Sequence, residues 1–288
     1  MIPKERKYSK VWYLVGLLVA GNLAVWSAVF ASASVDYVRF VALDIGQGDA
    51  LYFRTPGGAD VLVDGGPGDS VLSKLGDVMP LGDRTIEFVI LTHPHADHVA
   101  GLVEVLKRYE VKEIMFAEVE YTSATYVKFL DLVGEKNIRI VRPALGQRIF
   151  LDEATVLDIL YPVSGRFEKA PKDINDSSIV ARLSLGQSQV LLTGDAGKDI
   201  EEFLLRAGLP LESEILKVGH HGSRHSTGAE FVERVSPEYN LISVGKNSYG
   251  HPHQDALESL REEQILRTDK RGDIRFRIYP DRVELLEN

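Results

Sequence analysis

The stretch Leu91-Thr92-His93-Pro94-His95-Ala96-Asp97-His98 decides which fold and chemistry this chain can have. An almost continuously apolar run, 86–91, leads into it and is typical of a strand that is buried on both faces of a sheet. After the stretch, apolar residues recur at helical spacing as far as Arg108. The polar residues of the stretch are therefore predicted to occupy a turn between a strand and a helix.

This turn carries four side chains that can bind a metal ion. His93 and His95 are two residues apart in an extended segment and so point the same way, whereas Asp97 and His98 open the helix and face a second point nearby. Two imidazoles beside a carboxylate and imidazole pair suit two divalent cations about 3.5–4 Å apart, as in hydrolytic two-metal sites. The turn therefore predicts a dinuclear metal centre rather than a histidine-rich surface loop.

The histidines of the chain are clustered rather than scattered. All eight lie within 93–98, 220–225 and 251–253, and each cluster follows an apolar run. Loops that leave neighbouring strands converge at one end of a sheet, where binding and catalytic residues collect. We therefore expect the three clusters to meet in one site.

The pattern His93-x-His95-x-Asp97-His98 resembles the signature of the metallo-β-lactamase superfamily. The segment Asp44-Ile45-Gly46-Gln47-Gly48-Asp49-Ala50 narrows the resemblance to the ComEC competence-protein family, whose metallo-β-lactamase-like domain begins with a similar segment. The resemblance covers 37–287. It implies an α/β fold, the metallo-β-lactamase-like αβ/βα four-layer sandwich, with metal ions in a cleft at the ends of the strands.

The resemblance also implies roles for residues outside the first turn. An aspartate at the position of Asp64 orients the histidine turn, an aspartate at the position of Asp195 bridges two ions, and a histidine after the last core strand, here His251, is the final ligand. Many members carry a further ligand histidine, but none occurs here between His98 and His220. The implied ligands are His93, His95 and Asp195, with His221, for one ion, and Asp97, His98, Asp195 and His251 for the other.

The expected catalytic residues are Asp97, Asp195 and His221, although the sequence does not separate His220 from His221 as the ligand. Asp44 and Asp49 could hydrogen-bond the ligand turn from outside or could only build turns. Asn175 could face the substrate or a water at the metal, or could only cap its turn. The residues expected to contact an anionic substrate are Asn175, His220, Ser223, Lys246 and Asn247.

Composition limits the chemistry further. The chain has 288 residues, which is enough for one large domain and an appendage, and it has no cysteine, which excludes disulfide partners, a thiolate zinc site and a cysteine nucleophile. Its formal net charge of −9 gives no overall attraction to nucleic acid. A nucleic-acid substrate would therefore need a local basic lining or bound metal ions.

The segment 11–35 contains no charged residue and follows a basic flank. Its length exceeds the roughly 30 Å hydrocarbon core, so we predict a transmembrane segment in 1–35, with the hydrolase domain at 36–288. The positive-inside rule makes the protein a single-pass cell-membrane protein with its catalytic domain on the extracytoplasmic side. The alternative is a cleaved signal peptide, since Ala31-Ser32-Ala33 offers a small-x-small site.

These observations together predict a metal-dependent hydrolase with two divalent ions, Zn²⁺ by default and Mn²⁺ as the alternative, because the ligand set has carboxylates and no thiolate. The ComEC resemblance implies a phosphodiesterase or nuclease that cleaves DNA during uptake beside a separate channel. One alternative is an exported phosphodiesterase that acts on wall polymers or other small phosphoesters. Another is a metal-poor binding protein that has kept the fold.

Overall fold

A computed structural model describes residues 6–32, 35–165, 167, 171–261 and 264–287 of the chain. The chain forms two compact units, which divide between Asp36 and Tyr37. The first unit contains one helix, α1 (Arg6–Ser32). The candidate cleavage site at 31–33 runs into positions outside the described residues.

The structure overturns the predicted transmembrane anchor and the single-pass membrane localisation that depends on it. Within the described ranges, no helix has both the length and the apolar character needed to cross a membrane. The prediction rested on the length and the lack of charge of the segment 11–35, and it was wrong. Within α1, the Asn22 amide donates a hydrogen bond to the Leu18 carbonyl.

The second unit contains two sheets and the helices that cover them. The strands are, in chain order, β1 (Val38–Ala42), β2 (Leu51–Arg54), β3 (Asp60–Val63), β4 (Thr85–Ile90), β5 (Glu110–Met115), β6 (Arg139–Val141), β7 (Arg148–Phe150), β8 (Thr155–Tyr161), β9 (Val180–Leu185), β10 (Ser188–Leu192), β11 (Ile215–Lys217), β12 (Tyr239–Ile242), β13 (Ile265–Arg267), β14 (Ile274–Ile278) and β15 (Val283–Leu286). The helices are α2 (Ser70–Val78), α3 (Ala96–Arg108), α4 (Ala124–Glu135), α5 (Lys198–Arg206), α6 (Ala229–Val235), α7 (Gln254–Glu258) and α8 (Thr268–Arg271), with short 3₁₀ turns at Ile174–Ser177 and Gly219–Gly222.

The first sheet has the strand order β15-β14-β1-β2-β3-β4-β5-β6 and the second β13-β12-β11-β10-β9-β8-β7. Strands β3 to β6 are parallel to one another, as are β10 to β13, and the other pairings are antiparallel. Parallel strands direct their carboxyl ends to the same edge of a sheet. Each half of the molecule therefore has one edge at which successive loops meet.

The strands of the first sheet bury both faces, as their alternating side chains show. Phe40 of β1 and Phe53 of β2 pack between the sheets, whereas Val41 and Tyr52 pack against the layer that contains α2, α3 and α4. A third cluster places α5 and α6 on the outer face of the second sheet. The predicted α/β sandwich of two sheets with helices outside them is confirmed.

Candidate metal centre

The predicted ligands and the predicted supporting residue Asp64 lie in five loops that each follow the carboxyl end of a strand. These residues are Asp64 after β3, His93 to His98 after β4, Asp195 after β10, His220 and His221 after β11, and His251 after β12. The first two loops belong to the first sheet and the other three to the second. The site therefore forms where the ends of the two sheets meet, and the three histidine clusters come together as expected.

Asp195 lies at the centre of the site. Its Oδ2 is 3.4 Å from His98 Nε2, 3.5 Å from His221 Nε2, and 3.8 Å from the Nε2 atoms of His93 and His220. The backbone N–H of Asp195 donates to Ser178 Oγ at 3.1 Å, which fixes the turn that carries the carboxylate. One buried carboxylate is thus shared by imidazoles from both halves of the molecule.

The donor atoms around Asp195 fit a divalent cation. His98 Nε2, His221 Nε2 and Asp195 Oδ1 are buried and have no hydrogen-bond partner among the residues that the structure describes. Buried polar atoms are costly when they are left unpaired, so such a group indicates that something else satisfies them. His93, His98 and Asp195 form one set whose ligand atoms lie within 4.8 Å of one another, and Asp97, His98 and His221 form a second. Nitrogen and carboxylate donors of this kind suit zinc or manganese.

Asp64 holds the first ligand turn in place. It is fully buried, and its carboxylate accepts hydrogen bonds from Thr92 N at 2.8 Å, from Thr92 Oγ1 at 2.6 Å and from His98 Nδ1 at 2.8 Å. Because Nδ1 of His98 is bound in this way, Nε2 is directed towards Asp195. Asp64 thus makes the contacts that its predicted supporting role requires.

His221 lies close to two carboxylates of the predicted centre. Its Nδ1 donates to the Ser243 carbonyl at 2.9 Å, and its Nε2 lies 3.5 Å from Asp97 Oδ2. His221 Nε2 is equally far, 3.5 Å, from Asp195 Oδ2, and His221 belongs both to a ligand set with Asp97 and His98 and to one with Asp49 and Asp195. Its assignment to the ion of His93 and His95 stays a prediction. His220 and His221 have φ values of 47° and 52°, in the left-handed region, and spacing along the chain gives no sign of this turn.

Three further histidines surround the buried ligands and are only partly buried. His95 Nδ1 lies 3.1 Å from His93 Nε2, and the ring centroid of His251 lies 5.3 Å from that of His220. Neither His95, His220 nor His251 belongs to the compact ligand sets found among the described residues. Together they line an open cleft with Asp97, Tyr121 and Tyr249.

A buried ion pair supports the site from beneath. Lys217 of β11 is fully buried, and its Nζ lies 2.8 Å from Asp49 Oδ2, while Asp49 Oδ1 lies 3.5 Å from His221 Nδ1. Sequence reasoning named Asp49 as a supporting residue but missed Lys217. The sequence does hold a signal for Lys217, because it is a single lysine inside the apolar run 215–218, directly before the second histidine cluster, and a lysine in a buried strand needs a partner.

The glycine-rich segment 44–50 packs directly against the ligand turn. A Cβ on Gly48 would lie 2.2 Å from the Asp97 carbonyl oxygen, to which Asp49 N donates at 3.3 Å, and Gly48 has φ of +124°. Only glycine fits this position. The Asp44 carboxylate instead accepts from Gly46 N in its own turn, which favours the turn-building alternative for Asp44.

The predicted substrate contacts fall into different environments. Asn247 organises the turn before His251, since its Nδ2 donates to the carbonyls of Gly245 and His251, both at 2.9 Å. Ser223 is buried and its Oγ accepts from His225 N, whereas Lys246 is exposed. Asn175 is also buried, and its Oδ1 has no partner within the described ranges.

Burial and neighbouring charges shift the pKa values of the site in opposite directions. Burial lowers the pKa of His93 well below its ordinary value and, with the nearby His220, lowers that of His251 to about 4. Burial alone would also lower the pKa of His221, but Asp195 and Asp49 outweigh it and raise the pKa to about 10. Asp195 and Asp64 likewise raise the pKa of His98 despite its burial. Positive charge on His98 and His221 is therefore stabilised at the place where their unpartnered Nε2 atoms lie beside Asp195.

Comparison with known proteins agrees with this geometry. The sequence pattern described as the metallo-beta-lactamase superfamily matches residues 43–246. The chain is 31% identical over 98% of its length to ComE operon protein 3 of Bacillus subtilis and 27% identical over 84% to Recombination protein 2 of Haemophilus influenzae, and it spans 38% and 29% of these relatives. Igni18, a metallo hydrolase from the archaeon Ignicoccus hospitalis, has a similar fold, with a TM-score of 0.50, 12% identity and coverage of 88% of this chain and 99% of that one. The chain belongs to the metallo-beta-lactamase superfamily, in which it is a ComEC-like domain.

Proposed function

We propose that the chain is a divalent-metal-dependent phosphodiesterase that cleaves DNA. The observation that carries the proposal is that buried atoms able to bind a metal ion, one each from His98, His221 and Asp195, lie without hydrogen-bond partners among the described residues beside an open cleft. Members of this superfamily bind divalent metals, and the donor set here is one that such ions accept. The cleft gives a substrate access to the same place.

Two ions would be held by different parts of the site. Asp97, His98, Asp195 and His221 would hold one, and His93, His95 and Asp195, with His220, would hold the other. Divalent ions in such a position lower the pKa of water and stabilise negative charge on a phosphoryl oxygen. The groups that fix the ligands are the Asp64 carboxylate at His98 and the Ser243 carbonyl at His221, which set the ring nitrogen that each imidazole presents.

DNA is the proposed substrate because of the relatives. The chain matches ComE operon protein 3 over nearly its whole length and also matches a protein named for recombination. We include a DNA-uptake channel in the proposal as a partner, because the resemblance to the ComEC family implies one. The net charge of −9 favours a second candidate, a phosphodiesterase for shorter phosphoesters or wall polymers.

The test is cleavage by the purified chain. Single-stranded and double-stranded oligonucleotides and bis(p-nitrophenyl) phosphate are incubated with Mn²⁺ or Zn²⁺ and with either the natural chain or Asp195→Asn. We expect the natural chain to shorten DNA and the variant, which keeps the shape but loses the shared charge, to be slower by about 10²–10⁴-fold. Intact DNA with hydrolysed small phosphodiester would favour the second candidate, and no hydrolysis by a metal-loaded chain would contradict both.

A further inference from the structure

Tyr249 places an exposed aromatic ring at the edge of the metal cleft. Its side chain is 73% exposed, and its ring centroid lies 5.8 Å from that of His251, at an interplanar angle of 34°. Tyr249 lines the same cleft as Asp97 and His220. An aromatic ring is therefore available beside the place where a substrate would enter.

The turn that carries Tyr249 is held by specific contacts. Asn247 Oδ1 accepts hydrogen bonds from the backbone N–H groups of Tyr249 and His251, both at 3.1 Å, while its Nδ2 donates to two carbonyls. The Asn247 side chain thus hydrogen-bonds the backbones of both Tyr249 and His251. The exposure of the ring is consequently a property of an ordered turn.

A second tyrosine, Tyr121, lies beside another histidine of the cleft, His95. The ring of Tyr121 lies 5.9 Å from that of His95 and 6.3 Å from that of Tyr126. Tyr121 packs against a neighbour and is half-buried, whereas Tyr249 is mostly free on its outer side. Tyr249 is therefore the ring that can accept a flat partner.

We propose that Tyr249 is a stacking platform for an unpaired nucleobase next to the phosphodiester in the cleft, so that the substrate is single-stranded nucleic acid. This inference rests on the proposed function and sharpens it. A base in a duplex is already stacked on both faces, whereas an unpaired base can lie on an aromatic side chain whatever its sequence. Lys246, exposed on the same turn, supplies a positive charge for the backbone of such a strand.

The experiment compares oligothymidylate with an abasic oligonucleotide of the same length, because the two share the phosphodiester and differ in the base. For each protein the readout is the ratio of kcat/KM on the two substrates. We expect Tyr249→Ala to lower this ratio by about 5- to 100-fold, mainly through KM, and Tyr249→Phe to restore most of it because the ring is kept. Phe150→Ala, which removes an aromatic side chain that is 69% exposed on β7, is the matched control and leaves the ratio unchanged.

Other outcomes would overturn the inference. An equal loss on both substrates would show that Tyr249 supports the site and does not bind a base, and an unchanged ratio would show that no base reaches it. If the natural chain cleaves duplex DNA but neither of these single strands, the inference fails and the proposed function stands. If it cleaves no DNA at all, the proposed function fails, while fluorescence anisotropy with the same two strands still measures whether Tyr249→Ala removes a preference for the base. Equal binding of the two strands by the natural chain would then contradict the platform as well.

Discussion

The two sides of the cleft differ in how firmly the protein holds them. We define the inner set as His93, His98, Asp195 and His221, and the outer set as His95, His220 and His251. All members of the inner set are at most 2% exposed, and His98 and His221 are each fixed by a buried oxygen acceptor. The outer set is half-buried and lines the open cleft. The inner set therefore has a fixed geometry, whereas the outer set lines the opening through which a substrate would reach the site.

The electrostatics separate His98 and His221 from the other histidines of the cleft. The pKa values of His98 and His221 in the inner set are raised by Asp195 and by a second buried carboxylate. Burial lowers the pKa values of His93, His95, His220 and His251, and nearby carboxylates do not reverse the shift. This difference in pKa shifts indicates that the buried carboxylates determine which imidazoles can carry positive charge at neutral pH. The following changes test that separation.

The largest expected effect comes from Lys217→Met. The substitution leaves Asp49 buried at the inner set without its counter-charge, and breaking such a pair costs about 3–5 kcal/mol. The measurement is urea unfolding of the metal-free chain. The double variant Asp49→Asn, Lys217→Met recovers part of the loss because no uncompensated charge remains. A loss below about 1 kcal/mol, typical of an exposed ion pair, would show that Lys217 does not support the inner set.

Lys217 also marks the limit of what the sequence could predict. The first ligand turn, Asp64 and Asp195 could be placed from the chain because each follows an apolar run that becomes a strand. The contact between Asp49 and Lys217 joins the two halves of the molecule across 168 positions, and no local pattern encodes it. Residues that support a site through contacts between distant parts of the chain can therefore be identified only from the folded structure.

A smaller effect is expected from Asp64→Asn. The amide replaces an acceptor that His98 Nδ1, Thr92 N and Thr92 Oγ1 all use, so His98 loses its fixed orientation. Loss of such a supporting contact lowers metal affinity by about 10–100-fold. Isothermal titration calorimetry with Mn²⁺ or Zn²⁺ measures it. Asp44→Asn, whose carboxylate contacts its own turn, is the matched control, and an equal loss there would remove the distinction between them.

The sandwich itself was predictable, but the partners of individual ligands were not. The apolar run 86–91 predicted a strand that is buried on both faces, and the resemblance implied the sandwich of two sheets. The left-handed backbone at His220 and His221 and the contact of His221 with Asp97 have no local signal in the sequence. The predicted N-terminal anchor, which rested on an uncharged segment, was wrong, since no described helix can cross a membrane.

Metal binding should depend on pH because of the inner set. Metal binds the deprotonated imidazole, whereas the pKa of His221 is raised to about 10 and that of His98 is raised as well, so binding at pH 7 displaces their protons. Raising the pH weakens this competition, and apparent affinity increases about tenfold per pH unit for each proton displaced. Calorimetry in two buffers of different ionisation enthalpy counts the protons. Binding without proton release would contradict the charge assignment of the inner set.

The smallest effect is expected from His225→Ala, which tests whether membership of a histidine cluster is enough for a role in the site. His225 follows His221 by four positions, but its side chain is exposed and the contacts that place it are made by its backbone. Exposed substitutions of this kind change free energies by about 0.5 kcal/mol or less, which is about twofold in affinity. His221→Ala, measured beside it by calorimetric metal titration, removes a buried ligand from the inner set and should abolish binding of one ion. If the two variants lost metal equally, sequence clustering rather than burial and orientation would define the site, and the separation into inner and outer sets would have no chemical meaning.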